Sequence, residues 1–309
     1  MHNSPKGRRH EAVMFSHSVS RLIRQPRSCA YGRGQRWNRR PCGQPAQRAD
    51  LQYAARRRQR PTARSTYQPT LHKYPGGRYI LFTGHHALAL QGEGLLPGGQ
   101  RLPSFNPLTG QNELNGTSIV DVTDPRNPKY LFHLPVSDGV NGGAQMVRVC
   151  DGRTLPVNDN RIYMLRTYAN SAHEIWDVTN PSQPVGVRTV AGGNPVMGAQ
   201  TGAPGALAGT HKSWWECDTG IAYIVGRRGN DTTDHWASGN HIFIFDLHDP
   251  ANVAPVFLRD WALDGQQPGG VVPPNFPNGV PTIHGPISTG PAGGAIAMAG
   301  ATAERVYFA

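Results

Sequence analysis

Long apolar runs are missing from this sequence. No stretch approaches 18 consecutive apolar residues, so no membrane-spanning helix is predicted. Sustained helical periodicity is missing as well, whereas glycine (37 residues) and proline (27 residues) are abundant. That composition is typical of many short strands joined by turns. We therefore expect an all-β protein.

Signatures of several common enzyme classes are also absent. The sequence has no G-x-G-x-x-G turn opening a helix, no Walker A loop, no H-E-x-x-H pair and no G-x-S-x-G elbow. Cysteine is scarce, with four residues and no C-x-x-C spacing, so zinc ligation by cysteine is not expected. The sequence therefore indicates architecture more strongly than chemistry.

Acidic residues are nearly missing from the start of the chain. Residues 1–66 hold 16 of the 31 Lys and Arg residues but only Glu11 and Asp50 as acids, a net charge of +14, whereas the remainder has a net charge of −3. Because residues 1–67 also lack a hydrophobic period, we expect a disordered basic tail. It could be a nucleic-acid-binding arm, a transit-like leader or a non-functional extension, and nucleic-acid binding is not the favoured explanation.

What the chain does contain is a repeat. Residues 118–125, 174–181 and 243–250 each form a short apolar strand that ends in Asp, followed by a turn with Asp or Asn before Pro. The strand-ending residues Asp121, Asp177 and Asp246 are 56 and 69 positions apart. Repeats near this period are typical of solenoids, propellers and arrays.

Each repeat can be laid out as a blade of four antiparallel strands. The pattern predicts three complete blades within residues 71–136, 145–190 and 212–260, and part of a fourth from residue 283 onward. Asp or Asn at the start of each turn can bond its own backbone, and the following Pro sets φ for the turn. The predicted fold is an all-β propeller of four-stranded antiparallel blades, whose first strands line a central channel.

The repeated text S-I-V-D-V-T-D-P resembles the LVIVD repeat of bacterial β-propeller proteins. Residues 142–150, 171–177, 209–220 and 284–291 resemble a subgroup of these proteins. The resemblance covers residues 68–309 and none of the tail. It implies a propeller that is usually exported, to the periplasm or as a secreted protein, and it implies no defined activity.

The number of blades is smaller than a closed ring requires. A propeller needs at least four blades, whereas residues 68–309 supply three and part of a fourth. The expectation is therefore a C-terminally truncated version of a longer propeller. Closure through a second chain is the alternative.

Strand parity predicts that most histidines of the propeller share one face. We call this the histidine face; it holds the loops that lead into first strands and the loops that join second to third strands. The opposite, Asp-Pro face holds the repeated turns. Eight of the ten histidines beyond the tail are expected on the histidine face, namely His72, His85, His86, His173, His211, His235, His241 and His284.

Three of these histidines are metal-ligand candidates. His72, His211 and His284 are expected to precede first strands and therefore to ring the mouth of the channel. Neutral imidazoles can ligate Zn, Cu or Fe, and Glu216 could complete the ligand shell. The competing interpretation is structural, because a histidine at the start of a strand can bond a neighbouring turn and hold two blades together.

The remaining candidates are ligand contacts on the same face. They are His85, His86, His173, Arg166, Arg227 and Arg228. Paired arginines beside histidine suit a carboxylate or a phosphate, although solvated loop charges are the commoner role. Trp214 and Trp215 are expected to be packing aromatics between blades.

Two cysteines lie in related settings of successive blades. Cys150 and Cys217 each follow a first strand and precede an Asp. They are either buried small hydrophobic residues or, in an exported protein, partners in a disulfide.

The sequence thus predicts an exported β-propeller that binds a protein or a small-molecule ligand on its histidine face. The alternative is a metal-dependent enzyme, an oxidase or a hydrolase, with the channel-mouth histidines as ligands.

Overall fold

The computed structural model describes residues 66–85, 104–106, 109–136, 144, 146–169, 172–191, 193–194, 198–199, 207–228, 240–267, 270–271, 282–288 and 306–308. All of them belong to one compact unit, Gln52–Ala309. No helix in these ranges is long and apolar enough to cross a membrane. Residues 1–65 of the predicted tail lie outside the described residues, but Thr66 and Tyr67 belong to the first strand.

Blade one is a four-stranded antiparallel sheet. Its strands are β1 (Thr66–Lys73), β2 (Tyr79–His85), β5 (Gly116–Asp121) and β6 (Lys129–Pro135). A 3₁₀ turn, Pro75–Gly77, joins the first two strands, and a small hairpin of β3 (Ser104–Asn106) and β4 (Gln111–Glu113) precedes the third. The strands pair in the order β1-β2-β5-β6, as the sequence predicted.

Blade two has the same topology with fewer interruptions. Its strands are β7 (Val147–Asp151), β8 (Ile162–Tyr168), β9 (Ala172–Asp177) and β10 (Val185–Ala191), paired in chain order. Every residue of β8 is buried, so both faces of this sheet are covered by neighbouring structure. A short pair, β11 (Gly193–Asn194) and β12 (Gly198–Ala199), follows the blade.

Blade three has a first strand in two pieces. The pieces are β13 (Leu207–Ala208) and β14 (Ser213–Trp215), which pair with the same edge of β15 (Ile221–Arg228). The break falls at Gly209, whose φ of +62° is a left-handed conformation that glycine adopts without steric cost. The sheet continues with β16 (His241–Asp246) and β17 (Val256–Trp261). The described part of blade four is β18 (Pro286–Ser288) paired with β19 (Val306–Phe308).

The first strands of successive blades pack side by side. Contacts run from β1 to β7, from β7 to β14 and from β14 to β18. Three apolar clusters fill the spaces between successive sheets, so each sheet has its faces covered by its neighbours. Representative members are Phe82, Ile119 and Met164 between blades one and two, Leu165, Trp215 and Phe243 between two and three, and Val225, Ile242 and Ile283 between three and four. The predicted all-β fold of four-stranded antiparallel blades is confirmed.

The repeated Asp-Pro turns are structural, as their sequence predicted. The Asp121 carboxylate accepts a hydrogen bond from the Thr123 amide at 2.9 Å, and Asp177 and Asp246 accept equivalent bonds in their own blades. The second acidic or amide residue of each turn, such as Asp124, likewise accepts from a backbone amide two or three residues later. Each turn therefore satisfies its backbone donors locally.

A disulfide joins the first strands of blades two and three. Cys150, in β7, is bonded to Cys217, in the turn after β14. The pairing that the sequence left open is therefore present. It links residues 67 positions apart in two neighbouring sheets.

A buried ion pair within blade two is also hydrogen-bonded to blade one. The Arg166 guanidinium donates to the Glu174 carboxylate at 2.7 Å, and both side chains are 1% exposed. Its other two nitrogens donate to the carbonyls of Leu134 and Pro135 in the last strand of blade one. The indole of Trp176 donates to the same carboxylate. Each of the three guanidinium nitrogens therefore donates within blade two or to blade one, so Arg166 links the two sheets and is not placed as a ligand contact.

Removing this cation should destabilise the fold strongly. In an Arg166→Met variant the Glu174 carboxylate loses its cation inside the protein, and we expect the free energy of unfolding to fall by about 3–5 kcal/mol. Denaturant unfolding measures the change.

The double variant R166M/E174Q should recover part of the loss, because a glutamine oxygen still accepts from Trp176. Arg153→Met is the matched control, since Arg153 pairs with Asp151 in an exposed position. Equal losses in R166M and R153M would contradict the role assigned to Arg166.

Candidate functional site

Five histidines lie on the histidine face as parity predicts. His85 ends β2, where it pairs with Thr66, and His173 and His241 lie at or next to the starts of third strands. His211 and His284 precede β14 and β18. His86 and His235 lie outside the described residues.

His72 is on the opposite side, so its predicted placement was wrong. The strand β1 begins at Thr66, and His72 is its second-last residue, beside the turn that leads to β2. Its ring packs edge-on against Tyr74, whose hydroxyl donates to the carbonyl of Val178 next to an Asp-Pro turn. Because β1 starts earlier than the pattern suggested, His72 lies at the Asp-Pro end of the strand and not at its histidine-face end.

Glu216 is also separated from the predicted metal ligands. It follows β14, whereas His211 precedes that strand, so the two residues lie at opposite ends of it. The buried Glu216 carboxylate accepts hydrogen bonds from Thr219, at 2.8 Å, and from Ser288 of β18. The residue therefore ties the first strands of blades three and four together.

The structure brings His211 and His284 into direct contact. Their Nε2 atoms are 2.9 Å apart, and the Lys212 ammonium lies 3.3 Å from Nδ1 of His284. Lys212 Nζ also lies 5.1 Å from the ring centre of Tyr67 in β1. We call these four residues the Lys212 cluster. Tyr67 lies in the first strand of blade one, and the other three residues precede the first strands of blades three and four, so the cluster lies on the histidine face.

The aliphatic part of the Lys212 side chain packs against Gly285, the residue that follows His284. A Cβ atom at Gly285 would lie 2.6 Å from Cδ of Lys212, closer than side chains tolerate. The two positions correspond in the repeat, since each follows the channel-mouth histidine of its blade. Glycine in blade four therefore leaves the space through which the lysine of blade three reaches His284.

The hydrogen bonds assign the protons of the cluster. A lysine ammonium only donates, so Nδ1 of His284 is its acceptor and the His284 proton sits on Nε2. That Nε2–H donates in turn to Nε2 of His211, whose own proton is then on Nδ1. Burial and the charge of Lys212 lower the pKa of His284, which keeps its ring neutral at neutral pH.

This proton arrangement bears on the metal hypothesis. Two nitrogens bound to one zinc ion at about 2.0–2.1 Å would be separated by about 2.9–3.4 Å, so the spacing alone would fit. However, His284 can ligate through Nε2 only if that atom carries no proton, which the bond from Lys212 opposes. Among the described residues, no group of three or more His, Cys, Asp or Glu side chains is placed to hold a metal ion.

His173 lies behind the cluster and is fully buried. Its Nε2 is 3.4 Å from the Thr167 hydroxyl, which donates to the backbone carbonyl of His211 at 2.9 Å. Thr167 must therefore accept from His173, and the buried Nδ1 has no partner within the described part of the chain. Burial, with a smaller contribution from His211, lowers the pKa of His173 from 6.5 to about 3. The ring supports the cluster but does not reach solvent.

His85 is enclosed within blade one. Its Nε2 is 2.8 Å from the Ser118 hydroxyl, which lies 3.2 Å from Nδ1 of His133, and His133 bonds the carbonyl of Leu114. His85 and Ser118 are fully buried, so this chain crosses the sheet and holds its strands in register. The geometry assigns His85 a structural position rather than a surface one.

The predicted arginines separate in the structure. Arg166 is buried and links blades one and two, whereas Arg227 is exposed and lies beside Gly209. The side chain of Arg228 lies outside the described residues. Trp215 is buried between blades two and three as expected. The guanidinium carbon of Arg148 lies 4.5 Å from the ring centre of Trp214.

Sequence reasoning missed Lys212 and Tyr67. Lys212 directly follows His211, and its alignment with Gly285 was a signal that the lysine could extend across the repeat. Tyr67 carried no such signal, because the pattern assigned it to the tail. Its ring centre lies 6.1 Å from that of His211.

Comparisons with known proteins give only distant similarity. No protein-family model matches the chain, and no curated protein matches it. A solved structure of Penicillium chrysogenum alpha-L-arabinanase complexed with arabinobiose is 12% identical, with a TM-score of 0.40, over 64% of this chain and 52% of that one. A protein described as an exo-beta-1,3-galactanase, from Bifidobacterium bifidum s17, is 14% identical, with a TM-score of 0.30, over 60% and 49%.

The chain therefore spans about half the length of the structures it matches. Similarity this distant carries no argument about activity. The fold rests on the sheets themselves, and the LVIVD resemblance stays a prediction.

The depressed pKa of His173 makes stability depend on pH. The unfolded chain takes up a proton near pH 6.5, whereas the folded protein does so only near pH 3, so acid favours unfolding. Between pH 7.5 and 5 the wild type should lose about 2 kcal/mol more stability than a His173→Gln variant, which has no proton to take up. Denaturant unfolding at both pH values measures the difference. Parallel losses in the two proteins would show that His173 is not buried as a neutral ring.

Proposed function

We propose that this protein is a ligand-binding β-propeller whose site is the Lys212 cluster. The convergence of side chains from three blades at the channel mouth carries the proposal. Residues that hold blades together, such as Arg166 and Arg188, donate to backbone carbonyls of the next blade. The polar atoms of the cluster instead meet one another at a position that solvent reaches through the exposed His284, while Lys212 is buried beneath it. The ligand is a small molecule or a segment of a partner protein.

The disulfide supports export as part of this proposal. Disulfides persist in the periplasm and outside the cell, whereas cytosolic thiols are kept reduced. The LVIVD resemblance predicts the same compartment. The proposed protein is therefore an exported propeller that meets its ligand outside the cytoplasm.

Thiol trapping in the producing cell tests the compartment. After acid quenching, Cys150 and Cys217 should resist alkylation unless a reductant is added first, and peptide mass spectrometry reports both sites. Free thiols at both positions in freshly quenched cells would contradict export. The wild type and a Cys150→Ser/Cys217→Ser variant should differ in thermal stability only without reductant.

A thermal-shift screen tests the ligand-binding proposal. Because a ligand that binds only the folded state raises its stability, small molecules and short peptides that bind should raise the Tm of the wild type. The shift should vanish in a His211→Ala/His284→Ala variant. His248→Ala is the control, since His248 lies in the Asp-Pro turn of blade three and bonds Asp246 there.

The comparison uses the ligand-induced change in Tm, not Tm itself, so a variant of lower stability is still informative. Binding that survives in the double variant, or is lost equally in H248A, would place the site elsewhere. A screen in which no compound shifts the wild type would count against the proposal.

The metal-dependent oxidase or hydrolase remains the second hypothesis, and the spacing of the His211 and His284 nitrogens is its support. Metal analysis of the same three proteins distinguishes it. Stoichiometric Zn, Cu or Fe in the wild type and in H248A, but not in H211A/H284A, would favour the enzyme. The bond from Lys212 to His284 leads us to expect no such metal.

A further inference from the structure

The positive charge of the Lys212 cluster has no counterion among the residues that the structure describes. Lys212 is 8% exposed, yet among the described residues no carboxylate lies within ion-pair distance of its ammonium. Its neighbours are the imidazole of His284 and the ring of Tyr67. A buried charge is costly unless it is paired, so a bound anion would stabilise this ammonium.

A second cation, Arg148, lies against the first strand of blade three. Arg148 of β7 lies over the ring of Trp214 and donates to the backbone carbonyl of Ser213 at 3.3 Å. Lys212 and Trp214 are two positions apart on one extended segment, so their side chains point to the same side. No carboxylate of the described residues pairs with Arg148 either. Burial lowers the pKa of this guanidinium to about 10.

We propose that the Lys212 cluster binds the carboxylate of an organic anion, with Lys212 as the counterion. This inference rests on the proposed ligand-binding function and names its ligand class. The ring of Tyr67 lies 5.1 Å from the lysine ammonium, which suits a ligand whose carboxylate is carried on a ring or an apolar body. Within the cluster itself Lys212 is the only charged group, because the His284 ring stays neutral beside it, and one positive charge matches one carboxylate.

The Lys212 ammonium can bind a carboxylate without giving up its hydrogen bond to His284. The Lys212 ammonium has three protons, one of which is donated to Nδ1 of His284. The remaining two can be donated to carboxylate oxygens without breaking that bond. The ammonium would then be paired with a negative charge while the hydrogen-bonded histidines stay in place.

Benzoate and benzamide provide a matched pair of probes, because they share a ring and differ in charge. Ring ¹H–¹³C resonances of His284 and His211 are followed in the full-length protein at constant ionic strength. Benzoate should shift them in a saturable way, and benzamide should not. A Lys212→Met variant should bind benzoate at least about tenfold more weakly, because a charged hydrogen bond is lost.

Lys73→Met is the control for the lysine variant, since Lys73 is exposed at the other end of β1 and should leave the titration unchanged. Equal shifts with benzamide, unchanged benzoate affinity in K212M, or no saturable shift at all would overturn the carboxylate assignment. A stronger response to inorganic phosphate than to benzoate would also overturn it and indicate a phosphate site. Benzamide binding that is lost in H211A/H284A would leave the proposed function standing while this inference fails. If every probe and screened ligand binds the wild type and H211A/H284A equally, both the carboxylate assignment and the proposed function fail.

Discussion

The packing of each sheet against the next is the interaction on which the structure depends. A single four-stranded antiparallel sheet cannot cover both of its faces, yet every residue of β8 in blade two is buried. The covering comes from blades one and three through the apolar clusters between sheets, and each large side chain buried there contributes about 1.5–3 kcal/mol. The Arg166–Glu174 pair and the Cys150–Cys217 bond lie at these same junctions. Stability is therefore a property of neighbouring blades taken together.

The same packing produces the site. First strands that lie side by side bring together residues from separate repeats, so Tyr67, Lys212 and His284 meet although each belongs to a different blade. One blade supplies a long cationic side chain, and the next supplies a glycine that leaves room for it. Variation at equivalent positions of a repeat thus creates the Lys212 cluster in a scaffold that is otherwise regular. The Asp-Pro turns do not take part, because their polar groups are satisfied within each turn.

Much of the architecture could be predicted because its signals are local. Strand-ending aspartates, Asp or Asn before Pro, and strands rich in Val, Ile and Phe act within a few residues, and they located the strands of three blades to within a few positions. The histidine face followed from strand parity, and five histidines lie there. The site was predicted less well. His72 was predicted on the wrong face because nothing in the sequence marks where β1 begins. Since β1 starts at Thr66, its last residues, which include His72, lie on the Asp-Pro face.

By itself the sequence determined that this is a repeat protein of antiparallel blades, and which face of each blade carries histidine. Those features depend on alternation and on turns, whose partners are close along the chain. Tertiary structure alone decided which candidates meet. His211 and His284 are 73 residues apart, and Arg166 reaches carbonyls more than 30 residues away. Whether an arginine links two sheets, or a lysine ends beside a histidine of the next blade, depends on what the neighbouring blade places opposite it, and no local pattern contains that information.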